Sequence, residues 1–308
     1  MRVILTGGAG FIGSNVADAY IKEGYDVLIL DNLSTGRERN INPRARFVKA
    51  DIRDFETIKK IVDDFRPDII NHHAAQIDVR KSVDNPQFDA DVNIIGILNL
   101  LEAIKGENIK KFIFASSGGA SYGEQIYFPA DEDHPQNPES PYGICKLTSE
   151  KYLRYYNRVF GLPYIALRYA NVYGPRQDPL GEAGVVAIFT NRLLNGQICT
   201  IFGDGRQTRD YVYVMDIVRA NLVATNSMYN GPINVGTGIE TDVNSIYNLL
   251  RDSLGLKLEP VYAPARPGEQ KRSVISNKLL KEVLKVDNLT TLKDGLLKTV
   301  EYFKHFSN

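Results

Sequence analysis

The chain has 308 residues, 43% hydrophobic and 24% charged, which excludes a disordered chain and allows a large core without disulfides or structural metal. Its 37 basic and 37 acidic residues cancel, so no overall positive field exists to hold nucleic acid or an anionic membrane surface. Cys145 and Cys199 have no CxxC spacing, and the four histidines are scattered, so neither a disulfide framework nor a metal site is expected.

The first residues, MRVILTGGAGFIG, carry one charge and then glycines, with no signal-peptide pattern. No apolar run approaches the ~18 residues of a membrane span. These features point to a soluble, cytoplasmic protein.

Residues 2–6 (RVILT) form a short apolar run ending in glycines, and 11–23 carry apolar residues at helical spacing. Residues 26–30 (DVLIL) are again continuously apolar, as strands buried on both faces of a parallel sheet are. The alternation continues with a strand at 47–48, a helix over 55–65, a strand at 68–71 and a long helix over 86–105. Strand 111–115, helix 142–160 and strand 164–168 complete it. Strands alternating with helices of this length predict βαβ units and a doubly wound parallel α/β sheet.

After about Ala170 the regularity breaks. Residues 171–185 and 203–210 read as long loops, with helices over 184–195, 242–254 and from about Thr291. This half is expected to be a smaller C-terminal cap. The division predicted is 1–170 for the sheet domain and 171–308 mainly for the cap, with segments such as 210–236 returning to the sheet.

Gly7, Gly10 and Gly13 lie between the first strand and first helix, and Gly8, Gly10 and Gly13 satisfy GxGxxG. Without Cβ atoms such a turn brings backbone close to a pyrophosphate, at the positive end of the helix that follows. Asp31 ends the second strand 18 residues after Gly13, where a carboxylate can accept both adenosine ribose hydroxyls. It would repel a 2′-phosphate, which favours NAD; Arg37 and Arg39 nearby would instead suit NADP. Asp51 and Ile52, after the third strand, are placed to flank an adenine or simply to make a strand-to-helix turn.

Tyr142 and Lys146 are four residues apart at the start of a predicted helix, hence on one face. An ammonium beside a phenol is expected to lower the phenol pKa from about 10 and make it a general base. Ser117, at the end of strand 111–115, is placed to bond a substrate hydroxyl or to cap the following turn. Cys145 points off the Tyr–Lys face and reads as a core residue. Arg209 and Arg266, in separate loops of the cap, suit a diphosphate or are solvated. Phe202 is placed to stack on a base or to fill core.

The motifs TGGAGFIG (6–13), DNLSTG (31–36), HHAAQ (72–76), SSGGASYG (116–123), SPYGICK (140–146), RYANVYGPRQDP (168–179), GDGRQTRDYVYVMD (203–216) and NVGTG (234–238) together resemble the extended short-chain dehydrogenase/reductase family. Within it they look most like the UDP-glucose 4-epimerases. The resemblance implies a Rossmann sheet, a homodimer built on helices 86–105 and 142–160, and a catalytic trio of Ser117, Tyr142 and Lys146. It implies NAD held by Gly7, Gly10, Phe11, Ile12, Gly13, Asp31, Asn32, Asp51, Ile52, Ala74, Ala75, Gln76, Asn93, Lys146 and Tyr169.

For a UDP-hexose it implies Ser117 and Tyr142 at the sugar and Asn171 at a phosphate or sugar oxygen. Val185 and Val186 would lie at the pyrophosphate, with only a backbone contact surviving at Val185. Thr200 and Phe202 would flank uracil, Arg209 and Arg266 would hold the diphosphate, and Glu269 the ribose. Ser273 would form a small wall of the hexose pocket, leaving room for N-acetyl sugars. A 4,6-dehydratase or decarboxylase of the family is the alternative, yet residues 118–121 (GGAS) hold no carboxylate for elimination. A silent NAD sensor is less consistent with an intact trio.

Overall fold

The computed structural model describes residues 1–179, 184–265 and 270–306. The chain opens with β1 (Arg2–Thr6), α1 (Phe11–Lys22), β2 (Asp26–Asp31), β3 (Arg46–Lys49), α2 (Phe55–Phe65) and β4 (Ile69–His72). Helices α3 (Val79–Asp84), α4 (Pro86–Ala90) and α5 (Gly96–Ala103) precede β5 (Lys111–Ser117), α6 (Gly118–Tyr122), α7 (Pro141–Phe160) and β6 (Tyr164–Tyr169). Next come β7 (Asn171–Tyr173), α8 (Val185–Leu194), β8 (Thr200–Phe202), β9 (Thr208–Tyr213), α9 (Val214–Asn226) and β10 (Gly231–Val235). The chain closes with β11 (Glu240–Asp242), α10 (Val243–Ser253), β12 (Val261–Ala263), β13 (Arg272–Ser273), α11 (Lys278–Glu282) and α12 (Leu292–Phe306).

Seven strands form one parallel sheet in the order β10-β6-β5-β4-β1-β2-β3. The continuous apolar runs explain why it is covered on both faces. Val3, Leu5, Val27 and Ile29 point into one core with Val16 and Tyr20 of α1 and Ile217 and Ala224 of α9. Ile4, Leu28 and Leu30 point the other way, onto Val62 of α2, Leu100 of α5 and Leu153 of α7. This is the doubly wound Rossmann architecture. A third core joins α8, α10 and α12 around Phe189, Tyr213, Tyr247 and Val300. It supports the cap over the carboxyl ends of β5 and β6.

Three features differ from the sequence expectation. The segments read as long loops contain strands: β7 pairs with β9, and β9 begins inside 203–210. Such strands depend on distant partners rather than on local periodicity. Helix α9 was not anticipated; Val214, Ile217, Val218, Ala220 and Ala224 are buried at its helical spacing. The 86–105 segment is not one regular helix, because a π-helical turn over Asp91–Ile95 separates α4 from α5. Turns of this kind often mark functional sites. Here the turn carries buried Asn93.

Candidate functional site: a glycine turn, a buried Tyr–Lys pair and a cleft under the cap

The β1–α1 turn lies flush against the end of β4. Gly7 has a φ of +68°, and a Cβ there would stand 2.6 Å from the Ala74 backbone nitrogen. A Cβ on Gly13 would stand 2.2 Å from the Gly7 carbonyl oxygen. Gly10 starts α1 without a side-chain cap, so the first-turn amides of Phe11, Ile12 and Gly13 face outward as an anion cradle. Asp31 is buried at the tip of β2; its carboxylate accepts the Ala9 N–H at 2.9 Å and the Leu33 N–H at 2.8 Å. This cradle, whose turn packs too closely on its own backbone to admit a side chain at Gly7 or Gly13, fits a dinucleotide pyrophosphate with its ribose at Asp31.

Asn32 donates to Asp51 at 2.9 Å, and Arg53 binds the same carboxylate at 2.9 Å, which holds Asp51 well below the usual carboxylate range. Ile52 is buried beneath. On the far side of the turn, Ala74, Ala75 and Gln76 leave β4. The Gln76 N–H donates to Asn93 Oδ1 at 3.0 Å. Tyr169 is buried at the end of β6 and its hydroxyl accepts from Asn221 at 2.8 Å.

Helix α7 presents the Tyr–Lys pair. Ser140 caps it by accepting the Gly143 N–H at 3.1 Å, Pro141 occupies the first turn, and the Tyr142 N–H donates to Ser82 at 3.3 Å. Lys146 is buried; its Nζ donates to the Ala115 carbonyl at 2.8 Å and lies 5.7 Å from the Tyr142 ring centroid. Burial lowers Lys146 to about 8, against the pull of Asp89, Cys145 and Glu150.

The expectation that Lys146 depresses Tyr142 does not hold in the chain alone. Burial, reinforced by the Asp89 carboxylate, raises the phenol above its usual value, while a hydrogen bond to Ser117 pulls the other way. Of the two roles expected of Ser117, the structure shows the cap: its hydroxyl accepts the Ala120 N–H at 3.3 Å at the start of α6. Cys145 is buried and unpaired as a disulfide, in keeping with a core position.

A cleft of about 840 Å³ opens above the pair. Ser117, Tyr142, Tyr169, Asn171, Val185, Thr200, Phe202, Arg209 and Ser273 all line it. Val186 does not: it is buried in the cap core, because it follows Val185 on the inward face of α8. Arg266 and Glu269 lie outside the described residues. Sequence reasoning missed Arg192, Gln207, Glu139 and Gln270, which also line the cleft. Arg192 falls one turn after Ile188, another lining residue, and that spacing was the available signal. Among the described residues no group of three or more potential ligands could hold a metal ion. No described helix is long and apolar enough to cross a membrane.

A parallel sheet with this turn, an acidic tip on β2 and a buried Tyr–Lys pair under a second ligand cleft defines a dinucleotide-dependent enzyme. The chain belongs to the NAD dependent epimerase/dehydratase family, whose model matches residues 3–236. A putative UDP-glucose 4-epimerase of Methanocaldococcus jannaschii is 49% identical, with 98% of each chain covered. The crystal structure of a UDP-glucose 4-epimerase from Thermotoga maritima, with UDP-glucose, superposes with a TM-score of 0.98 at 49% identity over 100% of both chains. A UDP-N-acetylglucosamine 4-epimerase of Methanobrevibacter ruminantium, in complex with UDP-N-acetylmuramic acid, gives a TM-score of 0.91 at 38% identity over 99% and 98% of the two chains.

Proposed function

We propose that the chain interconverts UDP-glucose and UDP-galactose by inverting C4 of the hexose. The observation that carries this reading is the meeting of Ser117 and Tyr142 at the floor of a cleft whose cap side carries Arg209. The redox chemistry, removal of hydride from C4 and its return to the opposite face through a 4-keto sugar, is what NAD supplies when bound. Tyr142 takes the proton of the 4-hydroxyl and later gives it back. Ser117 holds that oxygen, and Lys146 keeps positive charge behind the ring. Arg209 with Arg266 anchors the diphosphate, Asn171 and the Val185 backbone support it, and Glu269 meets the ribose. Thr200 and Phe202 flank the uracil. Anchoring the nucleotide leaves the sugar free to turn over between the two hydride transfers.

We read the chain as a dinucleotide unit of residues 1–170 joined by 210–236, with a nucleotide-sugar unit from the remainder, working in the cytoplasm. The absence of a carboxylate in 118–121 supports epimerisation over elimination. Incubation with UDP-glucose and no added cofactor is expected to yield UDP-galactose, resolved chromatographically. A 4-keto-6-deoxy product would replace this reading with a dehydratase, and no product with a bound NAD would replace it with a sensor.

Ser273 is buried and lines the cleft; a Cβ on Gly119 would stand 3.7 Å from its hydroxyl. A small side chain there leaves room at the sugar end, so UDP-GlcNAc and UDP-GalNAc are expected to be interconverted too. Ser273→Tyr is expected to cut the ratio of N-acetylhexosamine to hexose kcat/KM at least about tenfold by filling that space. Absence of N-acetyl turnover in the wild type, beside good UDP-glucose turnover, would remove this assignment.

A homodimer through α7 and the 86–105 segment fits the exposed apolar stripe of Ile144, Tyr152, Tyr155 and Val159, with Ile95 beside it. Charging the stripe with Ile144→Asp and Val159→Asp together is expected to give a monomer by light scattering. An unchanged mass would place the interface elsewhere.

A further inference from the structure

Asp89 is a carboxylate that the mechanism above does not use. It lies in α4 with no exposed surface. An ionised carboxylate so placed is costly unless its oxygens are satisfied. Its Oδ1 accepts from Gln76 Nε2 at 2.8 Å and from Asn93 Nδ2 at 3.0 Å, while its Oδ2 has no hydrogen-bond partner. The same two residues are tied to each other: the Gln76 N–H donates to Asn93 Oδ1 at 3.0 Å, and Asn93 Nδ2 donates to the Gln76 carbonyl at 2.9 Å. The ring of three clamps the segment leaving β4 to the π-helical turn. Ser149 of α7 closes it from the other side by donating to the Asn93 carbonyl at 3.1 Å. The half-satisfied carboxylate therefore sits behind α7, against the Cys145 thiol and one residue before Lys146.

We propose that Asp89 is a positioning residue that sets the working pH of the Tyr142–Lys146 pair, its buried negative charge holding Lys146 cationic and keeping the proton on Tyr142. The electrostatics agree: Asp89 is the leading charge raising Tyr142, and the leading one opposing the fall of Lys146. The other groups facing the pair act less on it, Cys145 and Glu150 ranking behind Asp89 at Lys146. His72 at the end of β4 and His73 just after it are held neutral by burial, Lys146 adding to the effect. Cys145 is pushed up to about 12 by burial and by Asp89 itself. Glu150 is engaged with Arg168 and Ser116.

Removing this charge makes both groups lose their protons at lower pH. Both limbs of the kcat/KM profile should then move toward acid in Asp89→Asn, measured on the NAD-loaded enzyme. With each limb moved by about one unit, kcat/KM should rise roughly tenfold on the acid limb and fall roughly tenfold on the alkaline limb. Asp89→Glu should keep the wild-type midpoints. If the asparagine variant does not fold, Asp89→Ser leaves room for water to cap the two amides, and the same shift is expected.

Because this rests on the epimerase reading, a second readout avoids turnover altogether. Near-ultraviolet titration of tyrosinate, taken as the difference from the matching Tyr142→Phe protein, should give a lower Tyr142 midpoint without Asp89. Failure of wild-type turnover with a shifted midpoint would sink the epimerase reading alone. Profiles and midpoints that stay in place, with only their height reduced, would overturn the role of Asp89.

Discussion

Tyr142→Phe is expected to lower kcat for epimerisation about a thousandfold, within the range ascribed to a positioned acid–base group. NAD content should stay at the wild-type level. The physical case is that only one oxygen is removed. The Lys146 bond to the Ala115 carbonyl does not involve Tyr142, and neither does the capping bond from the Gly143 N–H to Ser140 Oγ. The ring can therefore keep its place while the proton carrier disappears. Product formation by chromatography and NAD released on denaturation are the two measurements. Retention of more than about a tenth of the wild-type rate would mean that another group carries the proton.

The same pair gives the wild-type pH dependence its sign. A phenol acts as base only once deprotonated, and burial resists that step, so activity should climb with rising pH. The climb should end as Lys146, lowered to about 8, loses its charge.

What the sequence disclosed, and what it hid, follows the range of the forces involved. The glycine turn, Asp31 and the Tyr142–Lys146 spacing are local patterns, and each sits where a strand end or helix start puts it. Six of the seven sheet strands were legible for the same reason, most of them being continuous apolar runs, while β10 (GPINV) was foreseen only as part of a segment returning to the sheet. The cap was less so, because β7 and β9 earn strand geometry only by pairing across some forty residues, Asn171 with Tyr211. Val186 shows how finely a helical face divides roles: Val185 lines the cleft while its neighbour is core. Asp89 had no signature at all. Whether a carboxylate on a short helix is solvated or sealed depends on α7 packing over it and on a π-helical turn that no periodicity announces. That burial and Asp89 raise Tyr142 in the chain alone was likewise not visible in the Tyr142–Lys146 spacing.

The largest stability effect is expected at a buried network that anchors α7. Arg168 on β6 is almost wholly buried and reaches Glu150 of α7 through three bonds, Nε to Oε1 at 3.0 Å and to Oε2 at 3.2 Å, and Nη2 to Oε2 at 2.6 Å. Ser116 donates to the same carboxylate at 2.6 Å. Arg168 Nη1 donates to the Tyr122 hydroxyl at 2.9 Å, which in turn donates to Asn234 of β10 at 2.7 Å. The chain of bonds thus ties β5, β6, β10 and α6 to the helix that carries Tyr142 and Lys146. Glu150→Ala strands a guanidinium that has no access to water, a loss of about 3–5 kcal/mol for breaking one side of a buried pair. In a chain of this size that should lower Tm by roughly 10 °C in calorimetry. Replacing both partners, as Glu150→Leu with Arg168→Met, should cost much less than the two single changes added together, because no charge is then left buried and unpaired. Additivity of the two single losses would show that the residues contribute separately and that the pair does not anchor α7.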